Sequence, residues 1–214
     1  MVKKNSINGV ILVSFEYPPR RLSKVSDIVS KHAANLVKNG IKTWVVTFDD
    51  WRSDIEIEKS KVVVNRIPNH IPNNISFFST IMNLKSAYQS AIASILNQEK
   101  IDLIHFFEWQ TIPLLIPWGD TLEVKKVYST SSIQRTRDPS KSLYSNGMMK
   151  LEDLCLNKLD LIFVNSEKLS KSISKDYNIE SESIEVLPYA DKKYSIKSLE
   201  QYQNLLNNPA KRKS

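Results

Sequence analysis

The chain has 214 residues and a formal net charge of +7, from 30 Lys and Arg against 23 Asp and Glu. Apolar residues make up 41% and charged residues 25%, which is ordinary for a soluble globular protein. No apolar run is long enough to cross a bilayer, and the scattered positive charge lacks any nucleic-acid-binding pattern, so we expect neither a membrane span nor a nucleic-acid partner.

Strand and helix patterns alternate along the chain. Apolar runs predict buried strands at 9–15, 42–48, 61–67, 102–107, 124–130, 159–165 and 183–188. Amphipathic patterns predict helices at 26–40, with Ser26 as its cap and Gly40 as its stop, and at 76–98, 166–178 and 195–207. A loop and then a helix are predicted to cover 138–159. A loop is predicted at 48–58, and a short helix interrupted by two prolines at 110–118. This order predicts an α/β fold, with one Rossmann-like domain whose mostly parallel sheet has helices on both faces.

Ligands of such sheets bind beyond the carboxyl ends of the strands. At that edge the sequence places a dense set of polar and aromatic side chains, of which the candidate binding residues are Glu16, Tyr17, Arg20, Arg21, Glu108, Trp109, Gln110, Ser131 and Arg135. Trp51 and Trp109 are candidates for stacking on sugar rings or bases, and the arginines, with Arg137, for holding anions. The alternative is structural, because loops at this edge are polar in most α/β proteins.

Several familiar sites are missing from the sequence. The three histidines, His32, His70 and His105, are too scattered for a metal site, and the serines at 129–132 lack a neighbouring acid–histidine pair. With four glycines and no G-x-G-x-x-G or Walker A element, no self-sufficient nucleotide site is predicted. We therefore expect no metal and no cofactor. Cys155 has no disulfide partner, and no signal-peptide cleavage site is evident, so we predict a cytoplasmic location.

From about residue 9 to residue 191, the order of sequence blocks resembles the N-terminal half of GT-B glycosyltransferases of the glycogen/starch synthase and glycosyltransferase family 4 type. The blocks are ILVSFEYPPR, RLSKVSDIVSKHAANLVKNGIKTWVVT, DLIHFFEWQTIPLL, VYSTSSIQRTR and LDLIFVNSEKLSKSISKDYNIESESIEVLPYAD. In that family the N-terminal domain mainly takes the acceptor, and a second Rossmann-like domain holds most of the nucleotide-sugar donor. The resemblance implies such an N-terminal domain over 1–193, followed by a C-terminal helix or tail over 194–214.

The chain departs from the family pattern at several positions. Ser23 and Lys24 stand where glycogen synthases have two glycines that let backbone amides approach the donor phosphates, although Lys24 can still meet a phosphate as a point charge. Ser131 stands at the position of the histidine in "T-x-H-S". In the "H-x-H-D-W" block His105 is kept, and we include it among the binding candidates, although a lone histidine ending a buried strand is more often structural. The spaced glutamate pair of the donor domain has no counterpart, so we assign no catalytic residue.

Only about 23 residues follow Asp191, which we expect to be too few for a second Rossmann-like domain. We therefore predict an acceptor-side glycosyltransferase domain that binds a glycan, is inactive alone, and works with a donor-domain protein or as a homodimer. Two alternatives stay open. The chain is a non-enzymatic descendant that binds a glycan or regulates a protein, or it is a fragment of a longer transferase.

Overall fold

The computed structural model describes residues 7–69, 76–140 and 142–207; His70 and the predicted basic tail lie outside these ranges. The strands are β1 (Gly9–Ser14), β2 (Lys42–Asp49), β3 (Ile55–Ile57), β4 (Val63–Pro68), β5 (Leu103–Phe107), β6 (Lys125–Thr130), β7 (Leu161–Val164) and β8 (Ile184–Val186). The α-helices are α1 (Lys24–Lys38), α2 (Phe77–Gln98), α3 (Gln134–Arg137), α4 (Leu143–Leu156), α5 (Glu167–Tyr177) and α6 (Tyr194–Asn207). Single 3-10 turns lie at Ile112–Leu115, Trp118–Asp120 and Ser181–Ser183.

The strands form one sheet in the order β3-β4-β2-β1-β5-β6-β7-β8. Every pairing is parallel except that of β3 with β4. Two apolar clusters fill the two faces, with α1 and α6 on one and α2, α4 and α5 on the other. The predicted α/β class, with a mostly parallel sheet covered on both sides, is confirmed.

Strand β3 was predicted as loop, and this prediction was wrong. Ile55 and Ile57 pair with Asn65 and Val63 of β4, while Glu56 between them bonds the Arg66 guanidinium of the same neighbour. Three residues of alternation are too short to distinguish from a loop, and an exposed edge strand needs no apolar run.

Helix α1 begins earlier than predicted. Ser23, not Ser26, is its cap, because the Ser23 hydroxyl accepts a hydrogen bond from the Val25 N–H at 3.1 Å, whereas Ser26 is buried and donates to the Arg20 carbonyl. Gly40 ends the helix as predicted. It adopts φ +79°, and its N–H and that of Ile41 bond the last carbonyls of the helix.

Helix α6 docks on the α1 side of the sheet through a buried polar chain. The Tyr202 hydroxyl bonds His32 Nε2 at 2.8 Å and also bonds His105 Nδ1. His105 Nε2 lies 2.7 Å from Ser129 Oγ, which lies 2.8 Å from the Tyr194 hydroxyl. Burial lowers the pKa of His32 to about 3 and that of His105 well below its ordinary value, so both rings are neutral near pH 7. Tyr194 and Tyr202 belong to the same apolar cluster as buried residues of α1 and the strands. Helix α6 therefore packs as part of the preceding domain.

Candidate functional site

The strand order reverses between β1 and β5. From β1 the chain proceeds outward to β2 and β4, and from β5 it proceeds the other way to β6, β7 and β8. Connections leave these two neighbouring strands on opposite faces of the sheet, which opens a crevice beyond their carboxyl ends. Glu16 follows β1 there, and Glu108 follows β5. We call this space between the two loops the crevice.

Glu16 is buried and organises the loop after β1. Its Oε2 accepts hydrogen bonds from the backbone N–H groups of Leu22 and Ser23, both at 2.7 Å, and its Oε1 accepts one from the Ser23 hydroxyl. Amides at the start of a helix are the groups that commonly bind phosphate. Here the Glu16 carboxylate of the same chain occupies the two amides that precede α1, and the Ser23 hydroxyl accepts the Val25 N–H in its first turn.

Glu108 is the second buried carboxyl of the crevice. It adopts φ +63°, a conformation that is uncommon for a residue with a side chain, and its Oε1 accepts the Ser131 N–H at 3.0 Å. Burial raises the pKa of its carboxyl, and burial together with this neighbouring carboxyl raises the pKa of the Tyr189 hydroxyl. A carboxyl with a raised pKa, held at a ligand edge, is suited to exchange a proton or a hydrogen bond with a substrate hydroxyl.

Trp109 does not present a free ring. The Arg137 guanidinium lies 5.1 Å from the centre of its ring, and Phe77 contacts it edge-on at 5.7 Å. Arg137 in turn donates to Glu152 Oε1 at 2.6 Å, and Glu152 is only 2% exposed. This arrangement fixes the loop after β6, because Glu152 also accepts the Gln134 N–H at the start of α3.

The arginines predicted to hold anions each lie against a carboxylate of the chain. The Nε atom of Arg20 lies 2.8 Å from a carboxylate oxygen of Asp50, and that of Arg21 lies 3.0 Å from one of Asp27. The Nε atom of Arg135 lies 3.5 Å from a carboxylate oxygen of Asp176. An anionic ligand would have to compete with these pairs. Anion binding by these arginines stays a prediction.

The remaining predicted residues divide by exposure. Tyr17 and His105 are fully buried, and the Tyr17 hydroxyl donates to Glu58 Oε2 at 3.1 Å, so neither side chain reaches the crevice. Lys24 and Ser131 are exposed. Gln110 is half-buried and lines a cavity of about 10 Å³ with Phe15 and Tyr88, which is room for about one water. The structure thus places Ser131 against Glu108, which Trp109 follows, and Glu16 after the neighbouring strand; their roles as binding residues stay a prediction.

Three residues that support the crevice were not predicted. Arg66 is 1% exposed, bonds Asp49 and Glu56, and donates to the Pro18 carbonyl at 2.8 Å. Glu152 and Tyr189 lie in a helix and a loop far along the sequence. A charged residue inside an apolar strand, such as Arg66 in VVVNRI, was the one signal available, since such a charge is rarely buried without a partner.

Comparison with known proteins identifies the family. The family model described as Glycosyltransferase Family 4 matches residues 27–190. The chain belongs to glycosyltransferase family 4. No curated protein sequence matches it.

Solved glycosyltransferases share this family member's fold. One form of sucrose-phosphate synthase from Thermosynechococcus elongatus superposes with a TM-score of 0.67 at 14% identity, over 92% of this chain and 99% of that one. A longer form of the same enzyme superposes with a TM-score of 0.66 at 13% identity, over 85% of this chain and 48% of that one. The catalytic domain of starch synthase IV from Arabidopsis thaliana, bound to ADP and acarbose, superposes with a TM-score of 0.60 at 10% identity, over 86% of this chain and 52% of that one. The family 4 chain therefore has the architecture of one half of a GT-B glycosyltransferase and spans about half the length of the longer structures.

Two further properties of the described residues bear on the site. No three His, Cys, Asp or Glu side chains among them are grouped as metal ligands would be. None of the helices in the described ranges combines the length and the hydrophobicity that crossing a membrane requires.

Proposed function

We propose that this chain supplies the acceptor-binding side of a glycosyltransferase and that a second unit, on a partner protein, binds the nucleotide-sugar donor. The observation that carries the proposal is the strand-order reversal between β1 and β5, with the buried Glu108 directly after β5, in a member of glycosyltransferase family 4. We further propose a hexosyltransferase of the glycogen/starch synthase type.

The chemistry of the crevice favours an uncharged hydroxyl-bearing ligand over a diphosphate. The amides of Leu22 and Ser23, just before α1, are engaged by Glu16, and the nearby Arg20 and Arg21 guanidiniums lie against carboxylates. Departure of a nucleoside diphosphate needs donors and positive charge aimed at the leaving group. These groups would come from the partner, while Glu108 would accept a hydrogen bond from the acceptor hydroxyl.

The test is a transfer assay with radiolabelled UDP-glucose and ADP-glucose, on the purified chain alone and on complexes captured with it from native lysate. We expect no turnover by the chain alone and donor dissociation constants of about 1 mM or weaker, which corresponds to about 4 kcal/mol of binding. We expect turnover in the complex, lowered about 10²-fold by Glu108→Gln and unchanged by Glu123→Gln, an exposed carboxyl outside the crevice.

Two results would contradict the proposal separately. Micromolar donor affinity or turnover by the chain alone would refute the need for a partner. Failure of the chain to bind any glucoside or maltooligosaccharide in calorimetry would refute the acceptor side.

A further inference from the structure

Tyr189 reaches Glu108 from a distant part of the sheet. It lies in the loop after β8, and β8 is separated from β5 by β6 and β7. The loop folds back over the carboxyl edge, because Asn165, which directly follows β7, accepts the Tyr189 N–H with Oδ1 at 2.9 Å. The Tyr189 hydroxyl lies beside the Glu108 carboxyl. A loop late in the chain therefore brings a side chain to the group on which the proposed function depends.

The phenol and the glutamate are fixed by a shared set of contacts. The Tyr189 ring packs against Tyr194, the first residue of α6, with ring centres 5.6 Å apart. The Tyr194 hydroxyl lies 2.8 Å from Ser129 Oγ, and the Ser129 carbonyl accepts the Glu108 N–H at 2.8 Å. The start of α6 and the end of β6 thus hold Tyr189 and the main chain of Glu108 in place.

The Tyr189 hydroxyl is otherwise unengaged. Its oxygen is buried and has no partner at ordinary hydrogen-bond geometry among the described residues. Buried hydroxyls are nearly always hydrogen-bonded, so one that is left over in a folded protein calls for an explanation. Oε1 of Glu108 already accepts the Ser131 N–H at 3.0 Å, but a carboxylate can accept several hydrogen bonds. The carboxyl beside the phenol is therefore the group to which its hydroxyl can donate.

The ionisable groups that face the Glu108 carboxyl come from several elements. They are the hydroxyls of Tyr128 in β6, Tyr194 in α6 and Tyr189, and the guanidinium of Arg137 in α3. Burial is the main cause that raises the pKa of each of these phenols, so all three stay protonated near neutral pH. They can therefore act on the carboxyl as hydrogen-bonding groups, whereas Arg137 acts on it as a charge.

We propose that Tyr189 is a positioning residue for Glu108, whose carboxylate it holds by donating a hydrogen bond, so that the carboxylate can accept a ligand hydroxyl in the crevice. The inference rests on the proposed function for the role of Glu108, although the contact between the two side chains needs no ligand. A donor to the ionised form favours that form, so Tyr189 opposes the effect of burial on the glutamate.

The test measures the pKa of Glu108 by NMR of the full chain with carbon-13 in its glutamate carboxyls, the resonance being assigned from Glu108→Gln. Tyr189→Phe removes one donor to the carboxylate, so the pKa of Glu108 should rise by about one unit, which is about a tenfold gain in proton affinity. Tyr177→Phe is the matched control. The Tyr177 hydroxyl also donates to a buried glutamate, but to Glu152 Oε2 at 2.5 Å, so the pKa of Glu108 should not change.

A second measurement connects the contact to the ligand. Methyl β-D-glucoside is titrated into the native chain and into Tyr189→Phe by calorimetry as a function of pH. A carboxylate accepts the glucoside hydroxyl, so affinity should be lost as the pH falls through the folded pKa of Glu108. The midpoint of this loss should lie about one unit higher in Tyr189→Phe, a change that a purely structural role of the phenol would not produce.

The outcomes separate the inference from the proposed function. An unchanged pKa of Glu108 in Tyr189→Phe, or an equal change in Tyr177→Phe, overturns the inference while the acceptor-side function stands. A raised pKa without any glucoside binding overturns the proposed function, although the contact is then supported. If Tyr189→Phe fails to fold, the native chain decides, because the Tyr189 Cζ resonance should titrate with the midpoint of Glu108 and lose that step in Glu108→Gln. A Cζ resonance without this step overturns the inference.

Discussion

Acidification should destabilise the chain through the two buried histidines that hold α6. His32 and His105 are fully buried and share the Tyr202 hydroxyl. Burial lowers the pKa of both rings in the folded protein, whereas both titrate near 6.5 when exposed by unfolding. Below pH 6.5 the unfolded chain therefore binds protons that the folded chain does not, and the free energy of unfolding falls as the pH falls.

The magnitude follows from the size of the shift. With a folded pKa of about 3, His32 stays neutral at pH 5 in the folded chain. Protonation of this ring in the unfolded chain therefore lowers the free energy of unfolding by about 2 kcal/mol between pH 7.5 and pH 5. His105 contributes in the same direction, because burial also lowers the pKa of its ring. Glu108 acts in the opposite direction, because a carboxyl whose folded pKa is raised contributes more stability as the pH falls through that value.

The assay is urea unfolding monitored by circular dichroism, at pH values half a unit apart from pH 7.5 to pH 5, for the native chain and for His105→Asn. Comparing the two at each pH cancels Glu108 and the other carboxyls. The native chain is expected to lose stability more steeply than the variant, by up to about 1.4 kcal/mol per pH unit below pH 6. Equal slopes, or a native chain that gains stability over this interval relative to the variant, would refute the assignment of neutral buried histidines.

Two further predictions concern stability. A Cβ added at Gly9 would lie 2.5 Å from the Lys100 carbonyl oxygen, so Gly9→Ala should cost about 1–3 kcal/mol in thermal or urea unfolding. Gly147→Ala in α4 is the control, because nothing lies within 4 Å of a Cβ added there, and it should stabilise the protein by about 0.5–1 kcal/mol. A loss of stability in both variants would contradict the close contact at Gly9 as the cause. Glu16→Ala should cost about 2 kcal/mol by freeing the amides of Leu22 and Ser23, and pyrophosphate should then raise the melting temperature of the variant alone. An equal response of the native chain to pyrophosphate would show that these amides are accessible without the change.

The fold was largely predictable because its core strands are apolar runs separated by amphipathic helices. Strand β5 and helix α2 lie within a residue or so of their predicted bounds. The errors occurred where local pattern carries little information. Ser23 and Ser26 are equally good caps by sequence, and only the position of Glu16, whose carboxyl meets the Ser23 N–H, decides between them.

The site was less predictable, since exposure depends on contacts between distant segments. His105 was predicted to end its strand at the ligand edge, but it is the central residue of β5, and Tyr202, 97 residues later, covers it. Trp109 was predicted as a stacking platform on its position alone. Its ring is instead partly covered by Arg137, which is fixed there by Glu152, and no local feature of either segment indicates that contact.

The two glutamates of the crevice have different roles, and the difference follows from their hydrogen bonds. Both carboxyl oxygens of Glu16 are engaged by donors of its own loop, so this side chain holds the loop after β1 and the start of α1 in place. Glu108 accepts the Ser131 N–H with Oε1, the Ser131 and Tyr189 hydroxyls lie beside its carboxyl, and burial raises its pKa. A carboxyl whose pKa is raised can exchange a proton or a hydrogen bond with a ligand hydroxyl, whereas Glu16 is held by the donors of its own loop. The crevice is thus arranged around Glu108 as the responsive group, with Glu16 as the support that shapes the opposite loop.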